Sequence, residues 1–310
     1  MRRKRPIVNA IGALVVSLVA FNWVLLNLRL AKIDKRNESI PFKSIKLPSR
    51  LLHLKSVWDS LPIEDHLVIP NALTRTITSE RDDVTLTVHL SPSTKLQRFL
   101  FLLNRWDGPS SVAIYISRPD EIPKFLSFCK ENWGNRSFRM ASFHVILEKG
   151  NEYPQNRLRE LAVQFVRGSF VALDVDHITP PRCHGKLKKM IESDKELSDA
   201  LRSKTIFVLP AFEYRKILKD DELRDNVLPN NKKEVVTMVQ RKELAGFHMA
   251  EFEDGQKPTN YTKWYSNTDG SSFYFIEYGM KFEPYVLAYR DDEGNLPHYW
   301  EEFRGFGYDK

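Results

Sequence analysis

Between residues 84 and 209 short aliphatic runs alternate with longer amphipathic ones, and that alternation constrains the fold more than any other feature. Val84-Thr-Leu-Thr-Val-His-Leu90, Ser111-Val-Ala-Ile-Tyr-Ile116, Phe143-His-Val-Ile-Leu147, Ser169-Phe-Val-Ala-Leu173 and Thr205-Ile-Phe-Val-Leu209 read as strands. Their β-branched and aliphatic side chains suit a pleated, buried surface. Helical periodicity fills 95–103, the stretch from Pro119 to Asn132, 155–166 and 186–202. Pro119 and Pro154 stand at helix starts, where a missing N–H costs nothing. Strand and helix in strict alternation predict an α/β fold: a mostly parallel, mixed sheet flanked by helices. Ligands of such sheets bind at the carboxyl ends of the strands.

Asp174-Val-Asp176 directly follows the run ending at Leu173, so it falls at such an end. Carboxylates at i and i+2 project to one side of an extended chain and can reach one ion. Hard oxygen ligands suit magnesium or manganese, and such an ion stabilises a departing diphosphate as a Lewis acid.

The remaining sequence bounds the setting. The 310 residues, 42% hydrophobic and 28% charged, are enough for one substantial core. The net charge of +7 includes Arg2, Arg3, Lys4 and Arg5, and no basic stripe interleaves with aromatics, which excludes nucleic acid as a partner. From Pro6 to Leu28 there is no charge, a run long enough to cross a bilayer and longer than the core of a cleaved signal peptide. The basic cluster ahead of it predicts a cytoplasmic N-terminus. The expected organisation is a cytoplasmic tail over 1–5, a transmembrane signal-anchor in the lipid bilayer over 6–28, a stem over 29–80 containing Pro41, Pro48, Pro62 and Pro70, and a lumenal domain over 81–310. In an oxidising lumen Cys129 and Cys183 are candidates for a disulfide, and spacing alone leaves the pairing open. Asn37 and Asn135 head glycosylation triplets, and a third triplet begins at Asn260.

Longer stretches carry a resemblance. Asn104-Arg-Trp-Asp-Gly-Pro-Ser-Ser-Val-Ala-Ile-Tyr-Ile116 is followed by Tyr153-Pro-Gln-Asn-Arg-Leu-Arg159, Leu173-Asp-Val-Asp176 and Val208-Leu-Pro-Ala-Phe-Glu213. Pro258-Thr-Asn-Tyr-Thr-Lys-Trp264, Phe282-Glu-Pro-Tyr-Val286 and Phe303-Arg-Gly-Phe-Gly307 complete the order. Over about 83–310 the chain thereby resembles the LARGE-type and β-1,4-glucuronyltransferase family (glycosyltransferase family 49), which builds glucuronate-containing glycans of dystroglycan.

The resemblance implies a GT-A type nucleotide-sugar-binding fold and a Golgi single-pass type II protein acting in protein O-mannosylation. It implies an inverting glycosyltransferase that uses manganese or magnesium and a UDP-sugar, UDP-glucuronate in characterised members. The acceptor is then a glycan on a glycoprotein. Carried onto this chain, Asp174 and Asp176 bind metal and donor, and Asn156 and Arg159 bind donor. Glu283 and Glu213 are the candidates for catalysis, Glu283 as the base and Glu213 to orient donor or acceptor, and Thr259, Asn260 and Trp264 lie on the acceptor side. Homodimers and partner transferases are common among such Golgi enzymes, although no residue here shows one. Gln256 and Trp300 stand where the family pattern has a histidine and an aspartate, and that pattern continues beyond Lys310 into a histidine-bearing segment. These departures keep a second reading open: a paralogue that binds glycan or a partner transferase without turnover.

Overall fold

The structure, a computed structural model, describes residues 15–18, 25–27, 47–63, 65–76, 83–93, 96–150, 152–216, 228–267, 273–279 and 281–290. In chain order its elements are β1 (Val15–Leu18), β2 (Leu25–Asn27), α1 (Ser49–Leu52), α2 (Leu54–Ser60), β3 (His66–Leu73), β4 (Thr85–Leu90), α3 (Leu96–Trp106), β5 (Ser110–Ile116), α4 (Glu121–Asn132), α5 (Arg136–Arg139), β6 (Ala141–Glu148) and α6 (Gln155–Gln164). There follow β7 (Gly168–Ala172), β8 (His177–Ile178), α7 (Cys183–Ser193), α8 (Lys195–Arg202), β9 (Ile206–Leu209), β10 (Ala211–Tyr214), α9 (Lys232–Gln240), β11 (Leu244–Gly246), α10 (Glu253–Gln256), α11 (Tyr261–Ser266), β12 (Phe273–Phe275) and β13 (Tyr285–Arg290).

Nine strands form one sheet in the order β12-β1-β9-β13-β7-β4-β5-β6-β3. The four at its centre, β7, β4, β5 and β6, are parallel. β13 runs antiparallel to both β7 and β9, and β3 closes the far edge antiparallel to β6. A smaller sheet has the order β11-β10-β2-β8. Every residue of β4 and β5 is buried, as near-continuous apolar strands covered on both faces must be. Along β5 the faces alternate. Val112, Ile114 and Ile116 join the main core with Phe99, Leu102 and Phe125 of α3 and α4, whereas Ala113 and Tyr115 pack with Leu158, Leu161 and Ala162 of α6.

The chain winds outward from β4 through β5 to β6, then returns to place β7 on the other side of β4. Strand order therefore reverses between β4 and β7, and open α/β sheets bind their ligands at such a point, outside the strands' carboxyl ends. His89 is the next-to-last residue of β4, and Asp174 follows β7 by two residues. Topology alone thus puts these two side chains at the ligand position of the sheet.

The structure bears on several expectations. In the expected span 6–28, the described pieces Val15–Leu18 and Leu25–Asn27 are strands, β1 lying between β9 and β12 and β2 between β10 and β8. A strand paired on both sides satisfies the backbone as fully as a helix does, and β-branched Val15 and Val16 favour it. The rest of that run, the tail 1–5 and residues 29–46 lie outside the described residues. No helix among the described residues is long and apolar enough to cross a membrane. The expected stem is folded where it is described: Leu47, Leu51, Leu54 and Trp58 are buried in the main core, and β3 supplies the sheet edge. The single helix expected over 186–202 is two, because Asp194 leaves helical geometry and accepts the Leu197 N–H at 3.0 Å to cap α8. The Cys129–Cys183 disulfide is not formed. Cys129 sits inside α4 and Cys183 opens α7, both buried and free, and burial pushes both thiols far up from their ordinary pKa.

Candidate functional site

The acidic pair occupies a turn rather than an extended strand. The His177 N–H donates to the Asp174 carbonyl at 3.0 Å, closing residues 174–177 on themselves. The two carboxylates therefore part company, each meeting a different helix.

Asp174 is engaged through both oxygens. Its Oδ1 accepts from Arg159 Nη2 at 2.9 Å and lies 3.3 Å from His89 Nε2. Its Oδ2 accepts from the Tyr285 hydroxyl at 3.1 Å. Arg159 stands one turn into α6, so the Asn-x-x-Arg spacing delivers the guanidinium to this point, with Asn156 buried in the first turn of the same helix. The Tyr153 hydroxyl is 2.8 Å from His89 Nδ1. Burial raises the phenol's pKa far above its ordinary value, so Tyr153 keeps its proton and donates it to Nδ1. That leaves the imidazole proton on Nε2, facing Asp174. Burial pushes the Asp174 carboxyl up, but the Arg159 guanidinium, the His89 contact and nearby His177 outweigh it and hold the group well below the carboxylate range.

Asp176 pairs with Arg98 on α3, Nη1 donating to Oδ1. Arg105, one heptad further along the same buried face, donates its Nε–H to the Thr179 carbonyl at 2.7 Å. One helix thus grips the turn and the residues after it at two points.

A wall of rings continues from Asp174. Tyr285 lies 4.0 Å from the buried His177 ring between centroids, His177 packs on Phe247 at 4.9 Å, and Phe247 stacks on His248 at 3.8 Å. The His248 N–H donates to Glu213 Oε1 at 3.2 Å. Glu213 is therefore tied to the acidic pair through a continuous aromatic and imidazole surface. Glu283 sits two residues before Tyr285, its N–H donating to the Gly255 carbonyl at 2.9 Å and its carbonyl accepting from Gln256 Nε2 at 3.0 Å. Gln256, where a histidine is expected from the family pattern, is a buried clamp on that backbone.

The acceptor-side residues are placed otherwise. Trp264 is fully buried against Phe212, with the Lys232 ammonium 4.7 Å from its ring centre, so it presents no face to a ligand. Thr259 is buried, its carbonyl accepting from the Tyr274 hydroxyl at 2.7 Å. Asn260 adopts a left-handed conformation and caps α11 by accepting the Lys263 N–H at 3.1 Å. Of the glycosylation triplets, Asn37 lies outside the described residues, and Asn135 caps α5 while donating to Asn104 Oδ1 at 2.9 Å. Trp300 and the stretch 303–307 also lie outside the described residues.

The divalent ion expected from the acidic pair would be held by Asp174 and Asp176, and both carboxylates are engaged by side-chain donors in this arrangement. Among the described residues both oxygens of Asp174 and Oδ1 of Asp176 receive donors, two of them from guanidiniums. Among the described residues no three His, Cys, Asp or Glu side chains group closely enough to hold a metal. Two surface clefts, about 400 Å³ beside α9 and about 580 Å³ between α1 and β3, include no residue of this network in their linings.

Sequence reading missed His89, Arg98, Tyr153, His177 and Tyr285 as parts of the site. One signal was available for Arg98 and Arg105: arginines seven apart on the apolar face of a helix, where a charge must find a partner. His89 was marked by its place at the carboxyl end of a central strand.

Comparison with known proteins places the chain. A family profile described as glycosyl-transferase for dystroglycan matches residues 123–310. The chain is 31% identical over 232 residues to the xylosyl- and glucuronyltransferase LARGE2 of Mus musculus, covering 74% of this chain and 30% of that protein. It is 30% identical over 234 residues to LARGE2s of Danio rerio and 29% over 233 residues to LARGE1 of Homo sapiens, each match covering 75% of this chain and 28% of the relative. The chain thus spans less than a third of the length of each of these relatives. With more than half of its residues matched by that profile, the chain belongs to the family of glycosyltransferases for dystroglycan.

Proposed function

We propose that this chain is an inverting glycosyltransferase that moves a sugar, glucuronic acid, from a UDP-sugar to a glycan acceptor on a glycoprotein. One observation carries the reading: the Asp174 network, with Arg159, His89 and Tyr285 converging on one carboxylate, sits where strand order reverses between β4 and β7. An anionic diphosphate at that end of the sheet meets the Arg159 guanidinium, and charge that builds on it as the sugar bond breaks is stabilised there.

Inversion in a single displacement needs a base for the acceptor hydroxyl. Glu213 fits this role through its position: Oε1 is fixed by the His248 N–H, and the ring wall links it to the donor side. Glu283 is held by its backbone on the approach to Tyr285 and orients that strand. Placement as a type II Golgi membrane protein rests on the uncharged run 6–28 behind its basic cluster. Protease protection in sealed microsomes tests it. Complete digestion of the chain would exclude a bilayer span and leave the strand positions of Val15–Leu18 and Leu25–Asn27 as the use of that run.

The central test is UDP release by the purified full chain, with manganese supplied, across a panel of UDP-sugars and simple β-xyloside acceptors. UDP-glucuronate is expected to turn over in an acceptor-dependent way and to give a β-linked product. Asp174→Asn should lower kcat/KM by about 100-fold or more, since it loosens Arg159, His89 and Tyr285 together. Glu213→Gln should lower kcat by about 100-fold while leaving the KM for donor near its original value. No turnover with any donor, together with no UDP binding, would sink the reading and favour a chain that binds glycan or a partner transferase.

A further inference from the structure

Glu121 opens α4 with its side chain only 2% exposed, and donors from two different connections converge on its carboxylate. From the β5–α4 connection the Ser117 and Arg118 N–H groups donate to Oε2 at 2.8 and 3.2 Å, and the Ser117 hydroxyl donates to it at 3.4 Å. From the β4–α3 connection the Ser91 hydroxyl donates to Oε1 at 2.7 Å. Arg118 spans the same gap from the outside, its Nη2 donating to Ser93 Oγ at 2.6 Å and lying 3.7 Å from Glu121 Oε1. The Ser93 N–H donates to Ser91 Oγ at 3.3 Å, which folds residues 91–93 onto their own anchor. Burial pushes the Glu121 carboxyl up, but the Ser93 and Ser91 hydroxyls and the two N–H groups outweigh it and hold the group below its ordinary value.

Starting a helix requires no such group, because a short side chain at the N-cap accepting one N–H serves. Sinking an ionised carboxylate is costly unless it is well bonded, and here one of its bonds comes from a second loop. That loop follows β4, at the end of the sheet where strand order reverses beside β7. It begins two residues past His89 and leads into α3, whose Arg98 pairs with Asp176. Ligands of open α/β sheets meet the connections at such a point. We propose that Glu121 is a positioning residue for donor binding: without touching the donor it holds the β4–α3 connection, through Ser91 and with Arg118 as a second tie, in the shape that the nucleotide meets. This inference rests on the nucleotide-sugar reading above. The tie acts by preorganisation, since a connection fixed before the ligand arrives has less conformational freedom to lose on binding.

Calorimetric titration of UDP into the purified full chain, with manganese supplied, decides the matter through a double-mutant cycle. Ser91→Ala and Glu121→Gln are each expected to raise the dissociation constant for UDP about tenfold. The double variant is expected to show no more than the larger single effect, because both changes remove the same tie. Since Glu121 is buried and its replacement can cost folding, Arg118→Met gives an independent measure on an exposed side chain. It is expected to weaken UDP binding about threefold while leaving the thermal midpoint near that of the parent. A purely structural carboxylate would lower the thermal midpoint of Glu121→Gln and leave UDP affinity unchanged in Ser91→Ala and Arg118→Met. That result, or single effects that multiply in the double variant, overturns the proposal and leaves the glycosyltransferase reading standing. No UDP binding by the parent chain overturns both.

Discussion

His144 sits in the middle of β6, in a stretch that reads as a plain apolar strand. Its Nδ1 accepts the Asn71 N–H at 3.0 Å, and its Nε2 lies 3.0 Å from Ser111 Oγ, whose own proton goes to the Ala162 carbonyl. Those partners accept only a neutral ring with its proton on Nε2, and burial pushes the pKa down from 6.5 to about 4. The unfolded chain therefore takes up a proton that the fold refuses. Stability from this group is complete above about pH 6.5 and drains away as pH falls towards 4, by about 3 kcal/mol in total. Urea unfolding across that range should show the slope in the parent chain and lose most of it in His144→Asn; equal slopes would refute the assignment. The candidate site divides along similar lines. Asp174, Arg159 and Glu213 were legible because they lie in ordered motifs, whereas Arg98 and His89 lie in none and join the candidate site only through partners far away in sequence. Gly108 belongs to a quoted motif for a steric reason that only packing reveals: a Cβ there would lie 2.2 Å from His184 Cγ, in the ring that holds Asp83 at 2.6 Å.

Among the elements, strands were read more faithfully than helix ends. A buried parallel strand is an uninterrupted apolar run, so β4, β5, β6, β7 and β9 stand out from their flanks. A helix break needs only one residue to leave the helical region, and amphipathic periodicity carries straight across it. Asp194 makes such a break between α7 and α8. Replacing it with alanine should remove the cap and cost about 1 kcal/mol. Thermal unfolding should then shift down by about 2–4 °C, and an unchanged midpoint would show that the periodicity of 186–202 was the better guide. Among the elements that escaped notice, α1, α2 and β3 lie in a proline-punctuated stretch whose short helices bury only one or two residues each. Such pieces have little periodicity to read and depend on the sheet edge they cover.

For the whole molecule, that edge has a measurable consequence. A chain beginning at residue 81 would lack Leu51, Leu54 and Trp58 from the core and β3 from the side of β6, leaving long, apolar β6 as an open edge. Each of those side chains contributes about 1.5–3 kcal/mol of burial, so the shortened chain should melt lower and self-associate. A monomer of unchanged stability on light scattering and calorimetry would return residues 47–76 to the role of a stem. Taken by itself, the sequence determined the layered α/β architecture, the direction of its central strands and the location of Asp174 just past a strand. Those properties follow from local periodicity, which each segment carries without reference to the others. Only the tertiary structure decided that the Asp174–Asp176 segment is a turn, that its carboxylates separate, and that arginines from both faces of the sheet meet them. Those outcomes depend on strand order. β13 pairs antiparallel between β7 and β9 and brings Tyr285 across from more than a hundred residues away. No local pattern encodes a pairing of that range, because its free energy comes from burying the whole sheet at once.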